Sequence, residues 1–91
     1  LDHMCLEIST LNFDIAIIGA GSYGLPLGSF IKQMGRQAVH LGGATQIMFG
    51  VKGRRWESKP SFQALFNDSW VRPRHDETPS NSETVEGGCY W

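Results

Sequence analysis

Apolar residues at Leu1, Met4, Cys5 and Ile8 recur at the spacing of one helix face, so residues 1–10 read as a helix. The period then changes. Ile15, Ala16, Ile17 and Ile18 form an unbroken apolar run, which suits a parallel strand covered on both faces. Helical spacing returns with Tyr23, Leu27, Phe30, Ile31 and Met34. Pro26 fits the first turn of that helix, where a missing N–H is no loss, and Gly35 ends it. Residues 37–41 read as a second strand, reached by a helical crossover and therefore parallel to the first. Gly42 and Gly43 close it. Residues 44–49 predict a short helix with Ala44, Ile47 and Met48 inward, capped by Gly50.

Beyond Gly50 the periodicity thins. Residues 51–56 read as a basic loop, and residues 60–66 as a short helix with Phe62, Leu65 and Phe66 on one side and Ser58 as its N-cap. Residues 71–85 are polar, contain Pro73 and Pro79, and are expected to run along the surface. Cys89, Tyr90 and Trp91 then give an aromatic end, expected to dock on the body of the domain or on a neighbouring subunit. The fold class expected is α/β: a small Rossmann-like half-domain, a short parallel sheet flanked by helices, with an irregular C-terminal arm. The organisation expected is an α/β domain over residues 1–70 that lacks an upstream half, followed by the arm over residues 71–91.

The chain has 91 residues, enough for one small domain, and a chain of that length buries less than ~70% of the surface its unfolded form exposes. Two parallel strands leave both outer edges unpaired, which predicts self-association as a homodimer or higher homo-oligomer. No apolar run approaches the ~18 residues of a membrane span, and the start carries no basic leader. Cys5 and Cys89 have neither metal-site nor disulfide-framework spacing, which points to reduced thiols in a cytoplasmic protein. Charge is uneven. Residues 1–31 carry Asp2, Glu7 and Asp14 and no Lys or Arg; residues 32–74 hold all 8 basic residues against Glu57 and Asp68. Asp76, Glu77, Glu83 and Glu86 follow. A basic middle between acidic ends suits a small anionic ligand better than nucleic acid, which is not an expected partner.

The candidate chemistry centres on the bend after the first strand. Gly19, Gly21 and Gly24 are spaced G-x-G-x-x-G, with Ser22 inside the motif, between an apolar strand and an amphipathic helix. In that context the first glycine permits the turn, the second lets backbone N–H groups approach a phosphate, and the third allows close helix–strand packing. Tight packing alone also wants small residues here. No carboxylate stands at 40–43, where a dinucleotide fold would hold a ribose hydroxyl, so NAD is not expected. His40, at the carboxyl end of the second strand, suits a general base or a phosphate donor, or else a structural histidine tied to a backbone carbonyl. Lys52, Arg54, Arg55 and Trp56 offer bidentate phosphate contacts and a stacking surface; the alternative is a solvated loop with Trp56 plugging the core. Gln46 is placed to reach the same crevice, and Glu57 reads as the salt-bridge partner of the basic loop. No nucleophile–base pair, carboxylate pair or metal cluster is legible.

Residues 13–27, FDIAIIGAGSYGLPL, together with AVHLGGATQ at 38–46 and FGVKGRRW at 49–56, resemble the C-terminal segment of a family of uncharacterised bacterial proteins. That family is associated with surface-polysaccharide biosynthesis and is distantly similar to GT-D-type glycosyltransferases. The ending VEGGCYW at 85–91 is similar too, so the resemblance covers nearly the whole chain. It implies a nucleotide-sugar site near Gly19, Gly21, His40, Gln46 and residues 52–56. The acidic motif that assists the metal in GT-D-type enzymes lies upstream of this segment, and nothing here corresponds to it. The expectation is therefore a binding module for a nucleotide or nucleotide-sugar phosphate, not catalytic alone and holding no resident metal. The alternative is an oligomeric structural or interaction protein that keeps the fold without ligand chemistry.

Overall fold

The structure, a computed structural model, describes residues 1–91. It is a small α/β fold packed as two compact units, Leu1–Thr45 and Gln46–Trp91.

In the first unit, helix α1 (Asp2–Thr10) leads to strand β1 (Ile15–Ile18), helix α2 (Gly24–Gln33) and strand β2 (Gln37–His40). The strands pair in parallel, Ile15 with Gln37 through Ile18 with His40. The ladder opens with Gln37 N–H donating to the Asp14 carbonyl and closes with Leu41 N–H donating to the Ile18 carbonyl. Side chains alternate across a strand, so Ala16, Ile18 and Ala38 face one way, into a core with Leu27 and the fully buried Ile31. Met4, Cys5 and Ile8 of α1 pack against that core. Burying an isoleucine or leucine contributes roughly 1.5–3 kcal/mol, so this cluster is the main support of the unit.

The opposite face of β1 is bare. Ile15 is 55% exposed, Ile17 47% and the neighbouring Val39 47%. Coverage on both faces was the expectation from an apolar strand; two strands with helices packed on Ala16 and Ile18 cover one. Tyr23, expected in the α2 stripe, lies in a 3-10 turn (Gly21–Tyr23) ahead of the helix and is exposed.

The second unit is built from shorter pieces. Helix α3 (Ala44–Met48) spans the unit boundary and leaves Met48 exposed instead of inward. Helices α4 (Arg54–Glu57) and α5 (Pro60–Gln63) follow, and then three 3-10 turns, His75–Glu77, Ser82–Thr84 and Glu86–Gly88. Trp56 is the buried centre, with Phe62 edge-on at 4.9 Å. Val51 and Val71 form a single parallel bridge that the polar character of residues 71–85 had hidden. Lys59 occupies the N-cap of α5; Ser58 instead donates its hydroxyl to the Arg55 carbonyl. The arm folds back onto residues 46–55 of its own unit: Gln46 Nε2 donates to the Tyr90 carbonyl (2.8 Å), and Arg55 N–H to the Cys89 carbonyl (2.7 Å).

Candidate functional site

At the end of β1 the chain turns through Gly19, Ala20, Gly21 and Ser22 before α2 begins. Gly21 adopts φ +53°, a left-handed conformation that costs any L-residue with a Cβ about 1 kcal/mol. The bend is then pinned by Tyr23 N–H donating to the Ala20 carbonyl (3.0 Å). The amides of Ala20, Gly21 and Ser22 donate to no backbone carbonyl.

The three glycines do different things. A Cβ on Gly24 would sit 2.2–2.5 Å from the His40 ring atoms, and one on Gly19 would sit 2.5 Å from Thr45 Oγ1. These two positions are small because a side chain lies over each, His40 from the end of β2 over Gly24 and Thr45 from α3 over Gly19. Gly21 has nothing within 4 Å. The middle glycine alone faces open space.

His40 lies over Gly24 with Nδ1 3.2 Å from the Ile18 carbonyl oxygen. A carbonyl only accepts, so Nδ1 carries a proton, and in the neutral ring Nε2 then keeps its lone pair. Neutral His40 in this tautomer can accept a hydrogen bond from a ligand hydroxyl at Nε2. It donates to a phosphate there only when protonated. Thr45 Oγ1 is buried against Gly19 without a hydrogen-bond partner. Sequence reading missed it, because a threonine after a glycine pair carries no signal until the chain is folded.

The second unit ties Gln46, Trp56, Arg54 and Arg55 to the C-terminal residues by polar contacts and leaves Lys52 outside them. Gln46 receives the Trp56 indole N–H on Oε1 (3.0 Å) and spends its amide N–H on Tyr90. Both ends of Gln46 are thereby used, and Trp56, only 7% exposed, lies in the core with its N–H satisfied. Arg54 Nη2 donates to Glu83 Oε1 (2.9 Å) and Arg54 Nε to the Trp91 carbonyl (3.1 Å). Arg55 Nη1 donates to the Tyr90 hydroxyl (2.6 Å) and pairs with Glu86 (3.3 Å). Glu57 pairs with Arg72 and not with the basic loop. The Lys52 ammonium stands over the Phe66 ring at 5.4 Å.

Glu86 is the strained member, at φ +48° without being glycine. Its carboxylate also accepts from the Tyr90 hydroxyl (3.1 Å) and the Cys89 thiol (3.5 Å). Burial, helped by the hydrogen bond to Glu86, pushes the Cys89 thiol and the Tyr90 phenol above their ordinary values. Such crowding of contacts is what holds a residue in an unfavourable backbone region.

Gly19, Gly21, Ser22, Gly24 and His40 thus belong to the first unit, and Gln46, Lys52, Arg54, Arg55 and Trp56 to the second. His, Cys, Asp and Glu side chains are nowhere gathered in a metal-binding group, and no helix is long and apolar enough to cross a membrane. No family model, curated protein or solved structure matches the chain.

Proposed function

We propose that the chain binds a nucleotide or nucleotide-sugar through its phosphate, at the bend between β1 and α2. On this reading β1, α2 and β2 are a Rossmann-like half-domain akin to the C-terminal part of a bacterial glycosyltransferase-like protein, and the chain is not catalytic alone. The observation that carries the reading is Gly21: open space above it, positive φ, and unspent amides beside it at the start of a ten-residue helix. A helix N-terminus favours an anion by about 0.3–1 kcal/mol even when exposed.

The test is thermal unfolding with a panel of UDP-, GDP- and dTDP-sugars. A ligand at 100 times its Kd adds ~2.7 kcal/mol of stability. Asparagine and aspartate both tolerate the left-handed region, so Gly21→Asn and Gly21→Asp differ mainly in charge. Gly21→Asp is expected to abolish the shift and Gly21→Asn to weaken it. No shift with any nucleotide, or equal binding by both variants, refutes the reading.

A second reading rests on the bare face and free edge of β1. In the observed register the even residues of β1 bond to β2, which leaves the N–H and C=O groups of Ile15 and Ile17 on the open edge. A groove of about 480 Å³ runs along that edge, lined by Ile8, Leu11, Phe13, Ile17, Leu27 and Ile31. An oligomer that continues the sheet would satisfy those groups. Light scattering at micromolar concentration tests it: a stable monomer removes this reading, and an oligomer dispersed by Ile17→Lys supports it.

A further inference from the structure

The other edge of the sheet differs in chemistry. The odd residues of β2 bond to β1, so Ala38 and His40 turn their backbone N–H and C=O groups outward. Beside them runs an open groove of about 660 Å³ between β2 and α2. One end is formed by Gly24 and His40, next to the glycine bend; Ser29 and Lys32 follow along α2, and Arg36 and Gln37 close the far end. No carboxylate lines it. The volume lies in the range of small-molecule sites.

Lys32 is the unusual group. Arg54, Arg55, Arg72 and Arg74 each have a carboxylate partner. Lys52 and Lys59 lie over aromatic rings, and Arg36 combines the Phe13 ring with the Leu11 carbonyl. Lys32 alone among the basic residues has none of these partners. It stands eight residues beyond Gly24, about 12 Å along the helix axis. Helical side chains lean back toward the N-terminus, which brings the ammonium about a turn nearer the bend.

The geometry points to a ligand with two anionic parts: a phosphate at the glycine bend and a carboxylate on the sugar, held by Lys32 in the α2–β2 groove. The class is a nucleotide-activated acidic sugar, a hexuronate rather than a neutral hexose. This inference rests on the phosphate reading above and adds the sugar's charge to it. His40 Nε2, at the groove's near end, is left to accept from a sugar hydroxyl.

The experiment measures Kd by calorimetry for UDP-glucuronate and UDP-glucose, which differ at one carbon. A partly exposed ion pair favours the uronate by about two- to fivefold. Lys32→Gln is expected to erase that preference and leave UDP-glucose binding unchanged; Lys32→Glu is expected to invert it. Lys32 is exposed, so both variants should retain the parent Tm. Equal affinities in the parent protein, or a preference that survives Lys32→Gln, overturn this inference and leave the phosphate reading standing. Absence of binding by either sugar nucleotide in every variant overturns both.

Discussion

The two units stabilise themselves by different means. Residues 1–45 rest on periodic apolar positions, and Ile18, Leu27 and Ile31 are buried between a sheet and two helices. Residues 46–91 have one buried aromatic, Trp56, surrounded by directional ties: Gln46 to Trp56 and Tyr90, Arg54 to Glu83, Arg55 to Glu86. Apolar burial is additive and tolerant of small shifts, whereas a polar network holds only while each member keeps its partner. The first unit should therefore lose stability in proportion to the volume removed. The second should fail at particular contacts.

The largest effects test the two centres. Trp56→Ala is expected to cost ~3–5 kcal/mol and Ile31→Ala ~2–5 kcal/mol, read as lost hydrogen-exchange protection in residues 46–91 and 1–45 respectively. Protection lost equally in both units by either substitution would break the comparison.

The next effects come from close approaches at glycine. Gly24→Ala meets the His40 ring and is expected to cost ~1–3 kcal/mol, most of it recovered by adding His40→Ala, because the obstacle is a side chain. Gly53→Ala meets Gln46 Oε1 at 2.6 Å and the Tyr90 carbonyl oxygen at 2.9 Å. Adding Gln46→Ala should not rescue it, because a backbone atom remains in the way. Denaturant midpoints of the single and double variants decide both cases.

Smaller still are the ion pairs. Arg55→Gln and Glu86→Gln should each cost ~0.2–1 kcal/mol, and the double variant less than their sum, since both pair members are partly exposed. Full additivity in that cycle would deny the Arg55–Glu86 contact an energetic role.

The smallest effect is a response to pH. The Cys89 and Tyr90 values are raised in the folded chain from 9.0 and 10.0, so both groups bind protons more tightly folded than unfolded. Their contribution is complete below those ordinary values and is lost as pH climbs through the raised ones. Exchange protection of the arm should therefore fall above about pH 9, with Cys89→Ser removing the earlier part of the fall. A first unit that loosens in the same window, or an arm that tightens, would contradict the assignment.

The sequence was most legible where structure is local. β1 occupies the four residues of the apolar run, and β2 follows α2 in parallel, as the crossover argument expects. The middle glycine was marked by its motif, and His40 by its place at a strand end. The buried face of β1 was not legible, because all four side chains are apolar and only α1 and α2 choose between Ala16 with Ile18 and Ile15 with Ile17. Nor was the fate of the basic segment, since the partners of Arg54 and Arg55 lie 29 and 31 residues away.

Period, turn chemistry and charge placement belong to stretches of a few residues, and for those the amino-acid order sufficed: helix, strand, glycine bend, helix, strand. Return contacts belong to the folded chain. The ring over Gly24, the carboxylates on Arg54 and Arg55, and the lone ammonium of Lys32 were settled when distant segments met. The physical reason is one of energy and range. A helix or strand repeats the same local preference at every residue, whereas a surface pair is worth about 1 kcal/mol or less and forms only after apolar burial has brought its partners together.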